Sequence, residues 1–318
     1  MSQDGPVWPT LPRGERRDKR TRERERAAAA PGDRRERSAR HDRSDHGERR
    51  GPPPQRTAAA QEVDEAARPR DPRRDELRIF GYNACMAAFA ARPQDLRKAY
   101  LSASRMGALR ELMAYCVQNR LGYRVVEDDD LARLAGSQHH EGVVLDFRRP
   151  PELTLAALLA QLDPARPACL LWLDGVGNPH NFGALLRSAA HFGVDAVLLP
   201  KESPLALSGA ACRVAEGGAE AVPLVRLGDA GASITALRAA GFALAATLPA
   251  GSQSLFEAPL PARCVFVMGA EREGMQAGLV DRCDLRLTIP GSGRVESLNI
   301  ASAVAVILGT WALRRGDA

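Results

Sequence analysis

The sequence predicts an α/β protein built on a parallel sheet that helices cover on both sides. Three observations lead there. In residues 168–318, short runs of continuous apolar residues alternate with segments of helical apolar spacing. The runs lack the polar alternation of a half-solvated strand, as strands buried on both faces do. Polar, glycine-bearing stretches fall just after the runs, where open α/β sheets bind their ligands.

Residues 1–75 are rich in Arg, Asp, Glu, Pro, Gly and Ala and almost free of aliphatic and aromatic side chains. Such a segment cannot bury enough surface to offset the entropy of ordering, so it reads as a disordered, Arg-rich tail. It holds 20 Lys+Arg against 15 Asp+Glu, and the rest of the chain holds 24 of each, so the whole net charge of +5 sits in the tail. Lysine occurs only at Lys19, Lys98 and Lys201. A bias to arginine suits phosphate forks and stacking on bases, although a GC-rich genome would produce it too.

Residues 76–149 change to short alternating elements: helix over 81–91, strand 98–101, helix 107–118, strand 123–126, helix 130–135 and strand 142–147. This is a small α/β domain. Pro150, Pro151, Pro164 and Pro167 bracket an apolar segment, so residues 150–167 read as a linker with a short helix. Residues 168–318 then run as strand 169–173, helix 181–192, strand 196–199, helix 206–216, strand 222–225, helix 233–240, strands 243–247 and 264–268, a short helix 276–282, strand 285–289 and a last helix from 297.

The six cysteines show no C-x-x-C spacing and several lie in apolar runs, which points to buried thiols in a reducing compartment. No signal peptide is visible, and the last apolar helix is shorter than the roughly twenty residues a membrane span needs. The expectation is a cytoplasmic protein with no membrane attachment. His139 and His140 have no Cys or third His at ligand spacing, so a solvated or capping role is expected and no metal is implied.

The stretch Ile289 to Ala303 is a tight polar turn that runs straight into the apolar last helix, with Ser297 placed as its N-cap. Its glycines let a ligand approach the backbone, and a helix start can hold an anion. The nearest dinucleotide fingerprint fails, because Glu296 follows Gly291 and Gly293 where a third glycine is required. Asn181 and Arg187 lie around Gly183 on another predicted helix start; by themselves they read as an N-cap and a surface charge.

Taken in order, Asn181-Phe-Gly183-Ala-Leu-Leu-Arg187-Ser-Ala189, Met268-Gly-Ala-Glu271-Arg-Glu-Gly274 and Ile289-Pro290 through Ser297-Leu298-Asn299 resemble the three motifs of the SpoU (TrmH-like) branch of the SPOUT RNA methyltransferases. The resemblance covers about residues 78–315. It implies transfer of a methyl group from S-adenosyl-L-methionine to a ribose 2'-hydroxyl of tRNA or rRNA. It also implies a C-terminal SPOUT domain with a deep trefoil knot, a homodimer, and a substrate-binding domain similar to a ribosomal-protein fold over residues 76–149. Gly269, Ile289, Leu298, Leu248 and Pro290 would line the cofactor pocket. Arg187, Asn181, Glu271, Ser297 and Asn299 would carry catalysis.

Arg187 as a literal base is costly, since taking its proton at pH 7 from a group of pKa about 12.5 costs roughly 7 to 8 kcal/mol. A cationic Arg187 that orients a phosphate, lowers the hydroxyl's pKa and stabilises oxyanion charge avoids that cost. Glu271 is then a candidate to pair with Arg187 or to accept the proton. The alternatives are a non-catalytic RNA-binding protein of the same fold and a base methyltransferase. The complete five-residue set opposes the first and Ser297-Leu298-Asn299 the second.

Overall fold

The computed structural model describes residues 75–315 apart from 271–273. The tail expected over residues 1–75 lies outside the described residues up to residue 74. Described residues form two sheets, and an apolar cluster runs through both without interruption.

The first sheet has the order β1-β4-β2-β3, from β1 (Glu76–Phe80), β2 (Leu96–Leu101), β3 (Gly122–Val125) and β4 (Val143–Arg148). β4 runs antiparallel to β1 and β2, and β3 runs parallel to β2. Helices α1 (Tyr82–Ala91), α2 (Arg110–Gln118) and α3 (Asp128–Ala135) connect the strands. Leu77, Ile79, Leu145 and Phe147 alternate onto the face that also buries Ala84, Cys85 and Leu112. Phe80 and Val144 bury against Leu131 of α3 instead. β1 escapes the sequence reading because Glu76 and Arg78 interrupt its apolar residues; both are exposed while Leu77 and Ile79 are buried.

The second sheet has eight strands in the order β10-β12-β9-β11-β6-β7-β8-β5, and every pairing is parallel. Its elements in chain order are β5 (Leu153–Thr154), α4 (Leu155–Gln161), β6 (Ala168–Leu173), α5 (Pro179–His191), β7 (Ala196–Leu199), α6 (Gly209–Ala215), α7 (Gly218–Ala221), β8 (Leu224–Arg226), α8 (Ala230–Ala239), β9 (Ala243–Thr247), β10 (Gln253–Ser254), β11 (Arg263–Met268), α9 (Ala277–Val280), β12 (Leu285–Thr288) and α10 (Ile300–Arg315). β6 explains the continuous apolar runs. Cys169, Leu171 and Leu173 belong to the cluster with Phe182 of α5 and Trp311 of α10, while Leu170 and Trp172 belong to the one with Ile234 and Leu237 of α8. Both faces are dry, so neither tolerates polar alternation.

The stretch 150–167 carries the expected short helix and does more than link. β5 pairs with β8 at the sheet edge, and Leu155 and Leu158 join the second cluster. Two residues of strand leave no periodicity to read. The chain steps outward from β6 through β7 to β8, then returns so that β11 lies on the other side of β6. That reversal makes the carboxyl ends of β6 and β11 the switch point at which such sheets bind ligands. No described helix is long and apolar enough to cross a membrane.

Helix α5 lies unusually close to α6. A Cβ on Gly183 would stand 2.6 Å from the Ala211 carbonyl oxygen and 2.7 Å from the Val214 Cβ. No rotamer relieves a clash with backbone. Alanine is the better helix former by about 1 kcal/mol, but overpacking costs about 1 to 3 kcal/mol, so Gly183→Ala should destabilise. A lower midpoint in urea unfolding is the expected result.

Five of the six thiols are buried and Cys283 is partly so. Burial pushes Cys212 from an ordinary value of 9.0 up to about 12, and Cys283 up to about 11. The folded thiols therefore stay protonated where unfolded ones ionise. Stability should be flat in this respect below pH 9 and fall as pH rises above it, by up to about 1.4 kcal/mol per unit for each such thiol. Unfolding midpoints measured from pH 8 to 10 check the sign.

Candidate functional site

The carboxyl ends of four neighbouring strands, β12, β9, β11 and β6, frame the site. Register aligns Met268 with both Thr247 and Leu173, and Leu287 with Thr247, so the strands end close to level. Leu248, Gly269 and Ile289 follow directly and Pro290 comes next. Sheet order thus gathers four of the five expected cofactor residues onto one rim. Leu298 lies further along the loop that leaves β12 and is 45% exposed, an apolar surface left uncovered in the chain alone.

Backbone hydrogen bonds fix this rim. The Leu248 amide donates to the Leu287 carbonyl at 2.8 Å, and the Leu255 amide to that of Thr288 at 2.8 Å. The Thr288 hydroxyl donates to the Pro249 carbonyl at 2.9 Å. At Gly269 the chain turns so tightly that a Cβ would stand 2.6 Å from both Gly274 C and Met275 N. Ala270 and Gly274 then exchange amide and carbonyl bonds of 2.9 and 3.0 Å, pinching off the loop between them. Glu271 lies in that loop, outside the described residues.

A residue the sequence reading missed holds the other side of the loop. Asp174, just past β6, is buried to 4% exposure, and its Oδ2 accepts the Gln276 amide at 2.9 Å. Its own amide donates to the Met268 carbonyl at 2.8 Å. A carboxylate directly after a run of six apolar residues was the available signal.

Asn181 is not the N-cap of its helix. Pro179 takes the first turn, and the Asn178 side chain accepts the His180 amide at 2.9 Å. Asn181 sits inside that turn, and its Oδ1 accepts from the Asn299 Nδ2 at 3.2 Å. Asn299 in turn replaces Ser297 as the cap of α10: its Oδ1 accepts the Ala301 amide at 3.0 Å, and the helix starts at Ile300. Ser297 is exposed in the preceding loop. One asparagine amide therefore ties the first motif to the third, while its oxygen starts the last helix.

Arg187 lies on α5 with its side chain 62% exposed, and its Nη1 is 3.8 Å from Glu216 Oε1. Among the described residues its carboxylate partner is Glu216; the suggested pairing with Glu271 falls outside them. His140 is buried, its Nδ1 accepting the Gly142 amide at 3.1 Å, which is a turn-capping role. A cleft of about 750 Å³ between the first sheet and α6 is lined by Arg78, His139, Arg149, His180 and Arg213 among others. Its lining includes His180, the neighbour of Asn181, and none of the five expected cofactor residues.

Comparison with known proteins places the chain in a family. The SpoU rRNA Methylase family matches residues 168–309, and the family described as RNA 2'-O ribose methyltransferase substrate binding matches residues 78–153. The chain is similar to the uncharacterized tRNA/rRNA methyltransferase YfiF of Escherichia coli O157:H7, 36% identical over 239 residues that cover 75% of this chain and 68% of that one. It is also 34% identical to the 23S rRNA (guanosine-2'-O-)-methyltransferase RlmB of Nitrosomonas europaea, over 72% of this chain and 88% of that one. Its fold is similar to that of an AdoMet-bound rRNA methyltransferase from Sinorhizobium meliloti, with a TM-score of 0.65, 23% identity, and coverage of 77% and 89%.

Asp174→Ala removes the acceptor of the Gln276 amide, a part-buried hydrogen bond. The expected cost is about 1 to 3 kcal/mol in unfolding free energy. Hydrogen exchange at the Gln276 amide should quicken more than exchange in the distant strand β2, and equal quickening at both would refute a local role.

Proposed function

The chain belongs to the SpoU rRNA methylase family, and from that premise we propose that it transfers a methyl group from S-adenosyl-L-methionine to a ribose 2'-hydroxyl of structured tRNA or rRNA. The observation that carries the reading is the Asn181–Asn299 hydrogen bond, 118 residues apart in sequence, which joins two of three ordered motifs beside the strand-end rim. A role as an RNA binder alone gives no reason for that juxtaposition.

The strand ends suit the cofactor. Gly269 keeps the turn after β11 free of a side chain, and Leu248, Ile289, Pro290 and Leu298 supply apolar edges with backbone groups between them. These five residues would hold S-adenosyl-L-methionine, which when bound supplies an electrophilic methyl group on a sulfonium. A charged Arg187 orients an RNA phosphate and stabilises negative charge growing on the ribose oxygen. Asn181, Ser297 and Asn299 hydrogen-bond the ribose and hold its 2'-oxygen in line. Glu271 is the candidate to take the hydroxyl proton. No metal is needed, because alignment and charge placement suffice.

We assign RNA binding to residues 76–149, supported by the family match over 78–153 and by Arg78, Arg149 and Arg213 in the cleft beside α6. Residues 168–318 form the SPOUT methyltransferase domain in this reading, with a trefoil knot around the 289–299 segment. It includes a homodimer formed through that region, a cytoplasmic location, and a tail over residues 1–75 that raises encounter with RNA.

Labelled methyl transfer to unmodified tRNA and, separately, to unmodified 23S rRNA tests the proposal, with the modified nucleoside identified after nuclease digestion. A 2'-O-methylated nucleoside from either pool is expected. Label on a base, or in neither pool while the cofactor binds, would overturn the reading. Arg187→Ala should slow transfer by roughly a hundredfold while cofactor affinity, measured by calorimetry, stays within a few-fold.

A further inference from the structure

We infer that Glu216 is a positioning residue for Arg187, and that it couples this arginine to the RNA-binding sheet through Asn83. The inference rests on the assignment of Arg187 to catalysis. Glu216 stands at the end of α6 with its two carboxylate oxygens turned to different partners. Oε1 is 3.8 Å from Arg187 Nη1, and Oε2 accepts from Asn83 Nδ2 at 2.9 Å. Asn83 belongs to α1, which follows the first strand of the first sheet. A single carboxylate therefore joins the arginine of one sheet to a helix of the other.

The backbone makes Glu216 an unexpected residue for this place. It caps α6 with φ 48° and ψ 44°, a left-handed conformation that glycine adopts freely and a side chain resists. Glycines stand at the next two positions. Capping alone favours glycine here, and the strain of a glutamate points to a role for its carboxylate.

The segment that follows presses on the same arginine. A Cβ on Gly218 would stand 3.0 Å from Arg187 Cα and 2.7 Å from the Leu186 carbonyl oxygen. Two residues on, Glu220 binds Arg92 of the first sheet's unit through bonds of 2.7 and 3.0 Å, both side chains nearly buried. Residues 216–220 are thus held by α1 and Arg92 on one side and by Arg187 on the other. A long, exposed guanidinium has many rotamers, and Glu216, 3.8 Å from its Nη1, narrows them.

The test uses the full chain and the RNA pool, unmodified 23S rRNA or tRNA, that the wild-type protein methylates. Glu216→Gly suits the left-handed backbone, so its thermal midpoint should equal or exceed that of wild type. Its single-turnover rate should fall about tenfold or more, with the KM for RNA within about twofold. Glu216→Gln, which keeps the backbone strain and removes the charge, should fall likewise. In an Arg187→Ala background Glu216→Gly should cause no further loss, because the two act as one unit. A wild-type rate for Glu216→Gly, or a loss that multiplies fully with that of Arg187→Ala, would overturn the inference and leave the role of Arg187 intact. A wild-type rate for Arg187→Ala, or no methylation of either pool by the wild-type protein, would instead overturn the reading beneath it.

Discussion

Helix α5 can serve this protein only because two glycines let its neighbours touch its backbone. Gly183 admits the Ala211 carbonyl and Gly218 packs on Leu186 and Arg187. Nothing larger fits at either position without moving main chain. The opposite face of α5 buries Phe182, Leu185 and Ala189 in the cluster that includes the large sheet and α10. The helix is therefore clamped between the sheet and the α6–α7 segment, which leaves Asn181 and Arg187 with defined positions. α6 and α7 also carry the polar contacts to the first sheet: Arg92 to Glu220, Arg213 to Glu141 and Asn83 to Glu216. The same clamp that orients α5 joins the two sheets.

The chemistry of the site follows from where strands end. Strand order reverses around β6, which makes the carboxyl ends of β6 and β11 the switch point where open α/β sheets take their ligands. Loops at this switch point are tied by their own backbone: Ala270 to Gly274, Leu248 to Leu287, Leu255 to Thr288. Such ties replace regular structure where the chain must present bare peptide groups to a ligand. Asp174 contributes from beneath as a buried acceptor: its carboxylate takes the Gln276 amide, and its own amide ties the loop's base to Met268.

The strands and helices of the large sheet were legible because each is a local pattern. Cys169 to Leu173 and Cys264 to Met268 read as buried strands and lie within β6 and β11. The short pieces were not legible. β5 and β10 have two residues each, too few for any periodicity, and pairing alone makes them strands. β1 alternates charged with apolar residues beside an arginine-rich tail, which hides it. Caps slipped by two or three residues at both functional helices. Pro179 draws the start of α5 back to itself, and the Asn299 side chain, rather than Ser297, reaches an amide of α10.

By itself the sequence determined the class of the protein and named the candidate site residues. Continuous apolar runs require a two-sided sheet, and three motifs in order carry the family resemblance. Tertiary structure alone decided who meets whom. Asn181 reaches Asn299, Arg187 reaches Glu216, and Glu216 reaches Asn83 across 133 residues of chain. The reason is physical. Periodicity reports which side of an element is buried, whereas the partner across a loop depends on strand order and on how closely two backbones approach. Those quantities are set by the packing of the whole core.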